Sequence, residues 1–257
     1  MSEEKASGDY RESAGHVMLL AVVLAVPALK LAWTLGGGDA ARDALIAMGP
    51  GNWADIPIGM FLNEALLATV LAVVVSRATY AHFAARGGAL GHRDTPMAVT
   101  AATAAVVPAA LGVVVGAFNG LGWGLATGLA SYVLRVGVMV DYKTGRREHT
   151  TGRRTGNRAE TAPQRAADAL WIAGLLLGGI VLPAVAIIAA LDGRSWTSVE
   201  TCAVNTGSGT HRARLVELAR QGNGIVGWDL AGSEVVHGVN CAADDNETIR
   251  PPWWRDA

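Results

Sequence analysis

The chain has 257 residues and a formal net charge of −1, with 51% hydrophobic residues and only 17% charged ones. Ordinary soluble domains carry roughly a quarter charged residues. The apolar residues are bunched into runs that lack polar stripes, which excludes a soluble all-helical core.

Five runs follow one another: Gly15–Leu35, Ile56–Ser76, Met97–Phe118, Leu121–Val140 and Ala166–Leu191. Each has about the 20 residues a helix needs to cross roughly 30 Å of hydrocarbon. The expected fold class is mainly α: a polytopic membrane bundle of five transmembrane helices over residues 15–193, preceded by a cytoplasmic N-terminal tail at 1–14. A cleaved signal peptide accounts poorly for the first run. Lys5 and Arg11 are outnumbered there by Glu3, Glu4, Asp9 and Glu12, whereas a signal peptide begins with net positive charge.

Lys30, in the first run, and Asn63-Glu64, in the second, are polar groups well inside apolar surroundings. At 1.5 Å per residue, Glu64 would lie roughly 12 Å and Lys30 roughly 9 Å from the outer ends of their spans. Consecutive antiparallel spans are neighbours, so the favoured expectation is a Lys30–Glu64 pair, with Asn63 hydrogen-bonding a neighbouring helix. The alternatives are a proton or cation path in which Glu64 titrates, or Lys30 reaching outward while Glu64 faces a water-filled cavity. Arg135, nearer an inner end, is expected to reach the interface.

Between the first two runs, the stretch from Gly37 to Asp55 predicts a short outer helix. Asp39 is its expected N-cap and Gly49-Pro50 its end, and it is expected to pack under the C-terminal tail. Glycines 112, 116, 120, 124 and 128 repeat every four residues through the third and fourth runs, and Gly174 and Gly178 do so in the fifth. Gly112, Gly116, Gly124, Gly128, Gly174 and Gly178 are therefore expected helix-packing positions, within the bundle or along a homo-oligomer seam. Pro27, Pro108 and Pro183 interrupt the outward-going helices.

Orientation follows from the flanks. The loop from Arg77 to Pro96 and the loop from Asp141 to Arg165 are rich in arginine, and such loops stay in the cytoplasm. The N-terminus is then inside and the C-terminus outside. Trp33, Trp53, Trp123 and Trp196 fall at the outer ends, as an interfacial belt requires. Arg146, Arg147, Arg153 and Arg154 of the second loop are expected to contact anionic lipid headgroups. That loop has no aromatic residue for base stacking, so nucleic acid is not its expected partner. Arginine outnumbers lysine 18 to 3, a bias read here as that of a GC-rich bacterial genome, which points to the inner membrane of a bacterium.

Residues 194–257 predict a small extracytoplasmic α+β domain. "SVETCAVN" reads as a strand, "THRARLVELARQGNG" as a helix ending at Gly222 or Gly224, and "GIVGWDLAGSEVVHGVNC" as a hairpin turning at Ala231-Gly232-Ser233. The two cysteines, Cys202 and Cys241, both lie here, and a disulfide between them suits a domain too small to be held by its core alone. Trp253 and Trp254, on a stiff Pro-Pro lead, are expected to dock back on the domain, lie on the membrane or bind a partner.

Sites of catalysis are not legible. There is no zinc spacing, no phosphate-binding glycine loop and no dinucleotide fingerprint. His211 and His237, with Asp229 and Glu234, have no metal-ligand spacing. No cofactor, metal or catalytic residue is therefore expected. The expected function is a non-enzymatic membrane subunit or scaffold of a larger envelope assembly, whose outer domain meets a membrane or extracytoplasmic protein partner. The alternative is a small-solute or ion/proton transporter using the Lys30–Glu64 pair. A lipid-modifying enzyme would be a third class, but no constellation of residues can be named for it.

Overall fold

The computed structural model describes residues 25–84, 96–143, 162–205, 207 and 209–255. In chain order the helices are α1 (Ala25–Leu35), α2 (Gly38–Met48), α3 (Asp55–Asn63), α4 (Ala65–Phe83), α5 (Met97–Asn119), α6 (Leu121–Lys143), α7 (Ala162–Leu176) and α8 (Leu182–Ala190). A π-helical turn, Leu177–Val181, joins α7 to α8. Strands β1 (Val199–Asn205), β2 (Thr210–Gln221), β3 (Gly224–Asp229) and β4 (Glu234–Ala243) follow. The described residues form two units, one of residues 61–185 and one of residues 25–60 with 186–255.

Among the described residues, four helical stretches are long and apolar enough to cross a membrane: Ala65–Phe83, Ala98–Asn119, Leu121–Val140 and Arg165–Ala190. Three of them match predicted spans closely. The second predicted span is displaced toward the C-terminus. Glu64 breaks the helix there, with φ −111° and ψ 92°, and α4 begins at the next residue. Of the first predicted span, residues 15–24 lie outside the described residues, and the remainder is the short helix α1. Five spans are thus not established.

In the 61–185 unit, α5 and α6 lie side by side, joined through Gly120 alone. Its φ of 93° is a left-handed conformation that glycine adopts without strain. Ala68 and Ala72 of α4 pack on Val115 of α5, with Phe61 and Leu111 around them. The outward faces carry Val106, Val113, Phe118, Leu121, Leu125 and Leu129, all exposed, a surface for lipid rather than water. Proline's missing N–H at Pro183 explains the π turn before it. The ladder there widens, so that Leu182 N–H donates to Leu177 O, five residues back.

In the other unit the four strands form a closed antiparallel barrel in the order β1-β2-β3-β4, with β4 returning to pair with β1. Closure leaves no free edge. The interior is filled by Cys202, Val204, Ala213, Leu215 and Ile225, with Val236 and Cys241 against them. Gly238 sits so close to β1 and β2 that a Cβ would lie 2.7 Å from both Cys202 Cβ and Leu215 Cδ1. The helix α2 packs against β2, β3 and β4, turning Ala41, Ala44 and Met48 inward. Its N-cap is Gly37, and Asp39, the expected cap, lies in the first turn instead.

The segment 210–221, expected as a helix, is the strand β2, so this domain is a β-barrel rather than α+β. Arg, Leu, Glu and Ala favour helix, but cross-strand packing overrides such weak preferences. The burial pattern explains the misreading. Ala213 and Leu215 are buried and two residues apart; then Val216 and Leu218 are buried, in the opposite phase. A strand buried on both faces, with a bulge within it between Glu217 and Ala219, gives Leu215 and Leu218 the spacing of a helix face. The expected hairpin is present as β3–β4, where Asp229 Oδ1 accepts the Ala231 N–H at 2.9 Å and Ser233 has φ 54°.

Candidate functional site

Among the described residues, polar groups gather in three places, the first two inside apolar surroundings. The first is where α1 and α8 end. A helix leaves its last carbonyls without helical donors, and here the missing donors come from elsewhere in the chain. The Lys30 ammonium, 2% exposed, reaches Ala189 O at 2.9 Å and forms an ion pair with Asp192. Arg250 Nη1 donates to Trp33 O at 2.7 Å, and its guanidinium lies 4.5 Å from the centre of the Trp33 ring. Thr34 Oγ1 lies 3.5 Å from Arg194 O.

The segment after the barrel then runs back along residues 191–195. Ser195 N–H donates to Glu247 O, Ile249 and Arg250 N–H to Gly193 O, and Trp253 N–H to Leu191 O. Cations at helix C-termini are favoured by the helix dipole as well as by these hydrogen bonds.

The second cluster ties together the helices of the 61–185 unit. Arg135 of α6 is 5% exposed. Its Nε donates to Ser76 O and Ser76 Oγ, both at 2.9 Å, and its Nη2 donates to Thr79 Oγ1 at 3.2 Å. Its guanidinium also lies 5.2 Å from the Tyr80 ring centre. The expected reach to the interface is therefore not what Arg135 does: α4 supplies most of its acceptors and α5 adds Ala104 O at 3.5 Å. Arg77, expected in a cytoplasmic loop, lies inside α4 instead. It is buried, stacks 4.5 Å from the Trp171 ring centre and donates to Trp171 O at 3.2 Å. One turn apart on α6, Thr127 bonds Thr69 at 3.0 Å, while the buried Ser131 hydroxyl has no partner among the described residues.

The third cluster is a polar pocket of about 270 Å³ lined by Asn52, Asp55, Trp196, Thr197, Glu217 and Arg220, among others. Arg220 grips Glu217 with two hydrogen bonds of 2.9 Å and reaches Glu200 at 3.0 Å. Ser198 Oγ donates to Glu217 Oε2 at 2.8 Å. The Arg220 hydrogen bonds hold the Glu217 carboxyl below the usual carboxylate range, with burial opposing and Ser198 assisting. Beyond the pocket, the Asn246 N–H lowers Asp244 in the same way, helped by the Arg214 guanidinium at 2.5 Å.

Cys202 and Cys241 form the expected disulfide, with S–S 2.05 Å, and so join the first and last strands of the barrel. Gly112, Gly116, Gly124 and Gly128 face one another between α5 and α6. A Cβ on Gly124 would come within 2.6 Å of Gly112 O, and one on Gly112 within 2.8 Å of Gly124 O. Beside this seam a groove of about 690 Å³ opens, lined by apolar side chains and Tyr132. Gly174 leaves room for the Arg77 guanidinium rather than for a helix backbone, and a Cβ added at Gly178 would meet Val74 Cγ1 at an ordinary 3.6 Å.

Glu64 is half-buried at the start of α4 in one unit, and Asn63 beside it is exposed; Lys30 belongs to the other unit. The acidic partner of Lys30 in its own unit, Asp192, stands directly after the last predicted span. That position, an acid at the C-terminal end of an apolar run, is the signal the sequence carries. Trp196, expected in an interfacial belt, is instead 2% exposed, and its backbone carbonyl presses on Gly59. Arg146, Arg147, Arg153 and Arg154 lie outside the described residues. Among the described residues, Glu200, Cys202 and Cys241 form the cluster of three metal-capable groups, and its cysteines are spent in the disulfide.

No protein-family model matches the chain, and no curated protein or solved structure is significantly similar to it.

Proposed function

We propose that this chain is a non-enzymatic membrane subunit or scaffold of a larger bacterial envelope assembly, and that it presents its barrel on the extracytoplasmic side to a partner protein. The observation that supports this most is the attachment of the barrel. It is closed by a disulfide, as suits an oxidising compartment, and its outgoing chain returns to hydrogen-bond the segment by which it left α8. A domain fixed in this way keeps one orientation toward a partner. The arginine-rich loops set the N-terminus inside, with Arg146, Arg147, Arg153 and Arg154 against anionic headgroups. The test is a mild-detergent pull-down of the tagged chain from its native membranes, with mass spectrometry. A stoichiometric protein companion is expected, and recovery of the chain alone would overturn the reading.

One observation favours the transporter reading: Glu64 stands at the interruption between α3 and α4, and broken helices in membranes often line ion sites. Under that reading, with Glu64 and Lys30 as its charged pair, Glu64→Gln abolishes uptake by reconstituted vesicles and leaves the fold intact. Against it, a span that starts at Ala65 puts the carboxylate at a helix N-terminus, near the edge of the hydrocarbon. That placement needs no transport role.

A further inference from the structure

We infer that residues 247–255 form a strap that binds the lipid surface through the Trp253–Trp254 pair and so holds the barrel down on the membrane. The inference rests on reading Arg165–Ala190 as a membrane span.

The backbone of the strap is fixed but its large apolar side chains are not covered. Four backbone hydrogen bonds tie it to residues 191–195, the last being Trp253 N–H to Leu191 O. Arg250 pins the strap again, on Trp33. Beyond those anchors the two indoles stand edge to face, 6.2 Å apart at 84°. They remain 45% and 48% exposed, and neither indole N–H has an acceptor among the described residues.

The place of attachment selects the occupant. Leu191 directly follows the last helical residue of the span, so the hydrocarbon must end close to that level. The exposed Ile187 and Ile188 lie one turn before it on α8. An indole at this height can bury its ring among upper acyl chains and give its N–H to a headgroup oxygen, which is why tryptophan collects at membrane interfaces. Arg255, exposed beside the pair, adds a cation suited to headgroup phosphate.

The test uses the full chain reconstituted into phosphatidylcholine vesicles, with plain lipid or with lipid brominated near the glycerol end of its chains. Bromine quenches tryptophan only on contact, and subtracting the emission of W253F/W254F isolates this pair from the other six tryptophans. The difference emission is expected to lose most of its intensity in the brominated vesicles and to resist aqueous acrylamide. Emission that ignores bromine overturns the inference, with acrylamide quenching showing rings in water and its absence showing rings under protein or a second copy. Flotation of the chain with the vesicles after alkaline washing tests the span itself, so that failure is seen separately. If the double variant loses its disulfide or its circular dichroism, W253F and W254F are measured singly.

Discussion

Lys30 is buried where α1 and α8 end and pairs there with the largely covered Asp192, and the worth of such a pair is a difference between two large terms. Both charges lose water, and their attraction together with the Lys30 bond to Ala189 O offsets that loss. Removing one partner leaves the other charge less well compensated: Asp192→Ala is expected to destabilise the chain by at most about 3–5 kcal/mol. The double change Lys30→Met with Asp192→Leu should recover most of it. Unfolding in detergent, followed by circular dichroism, checks the cycle; equal losses in single and double variants would mean that the pair carries no such strain. At the barrel, Glu217 gives a pH signature. Its carboxyl is depressed, so its contribution is complete above the unfolded value of roughly 4.3 and is lost as pH falls through the folded value. Glu217→Gln should lower stability at neutral pH and flatten the acid limb of the melting curve by the same small amount, because Arg220 is exposed and the pair is screened by water. Residue roles were the least legible level of the sequence. Distance from a span end says little about Arg77, Arg135 and Trp196, whose surroundings depend on which helix or strand stands opposite, and chain position does not encode that.

Helices were legible where apolar length alone decides. The turn at Asn119-Gly120 and the spans on both sides of it follow from composition, and the glycine seam follows from spacing. That seam makes the α5–α6 pair sensitive to small additions. Gly124→Val would force side-chain carbons into the Gly112 carbonyl and Gly116 Cα, where only backbone can yield. A loss of about 1–3 kcal/mol is expected, measured as a lowered melting temperature of the detergent-solubilised protein. Unchanged melting would mean that the two helices pack through other residues. The strand β2 shows the limit of periodicity. Alternation identifies a strand with one wet face, and β2 has α2 on one side and the barrel interior on the other, so the signal cancels. Glu64 shows a second limit: the polar Asn63-Glu64 step marks the place, but apolar residues on both sides let it be read as a charge within one helix, and the helix end is visible only in the backbone.

For the chain as a whole, the disulfide joins residues 39 apart in sequence, and cross-linking a loop of that length contributes about 4 kcal/mol in the chain-entropy model. A barrel of four short strands is small enough for that to decide whether it folds. Reduction, or Cys202→Ser with Cys241→Ser, is expected to make the 199–243 segment protease-sensitive while the helices of the 61–185 unit stay protected. Limited proteolysis with and without reductant, read by mass spectrometry, checks this; a barrel equally resistant in both states would show that its core suffices alone.

The double attachment at residues 191–195 also has a mechanical side. A domain on one peptide stalk swivels freely about the stalk's dihedral angles, so a sideways tug on it dissipates as rotation. Here a second segment runs back beside the first, and the two together resist twisting as a ribbon does. A sideways pull on the barrel would thus reach the end of α8 as torque instead of being lost in free rotation about one stalk.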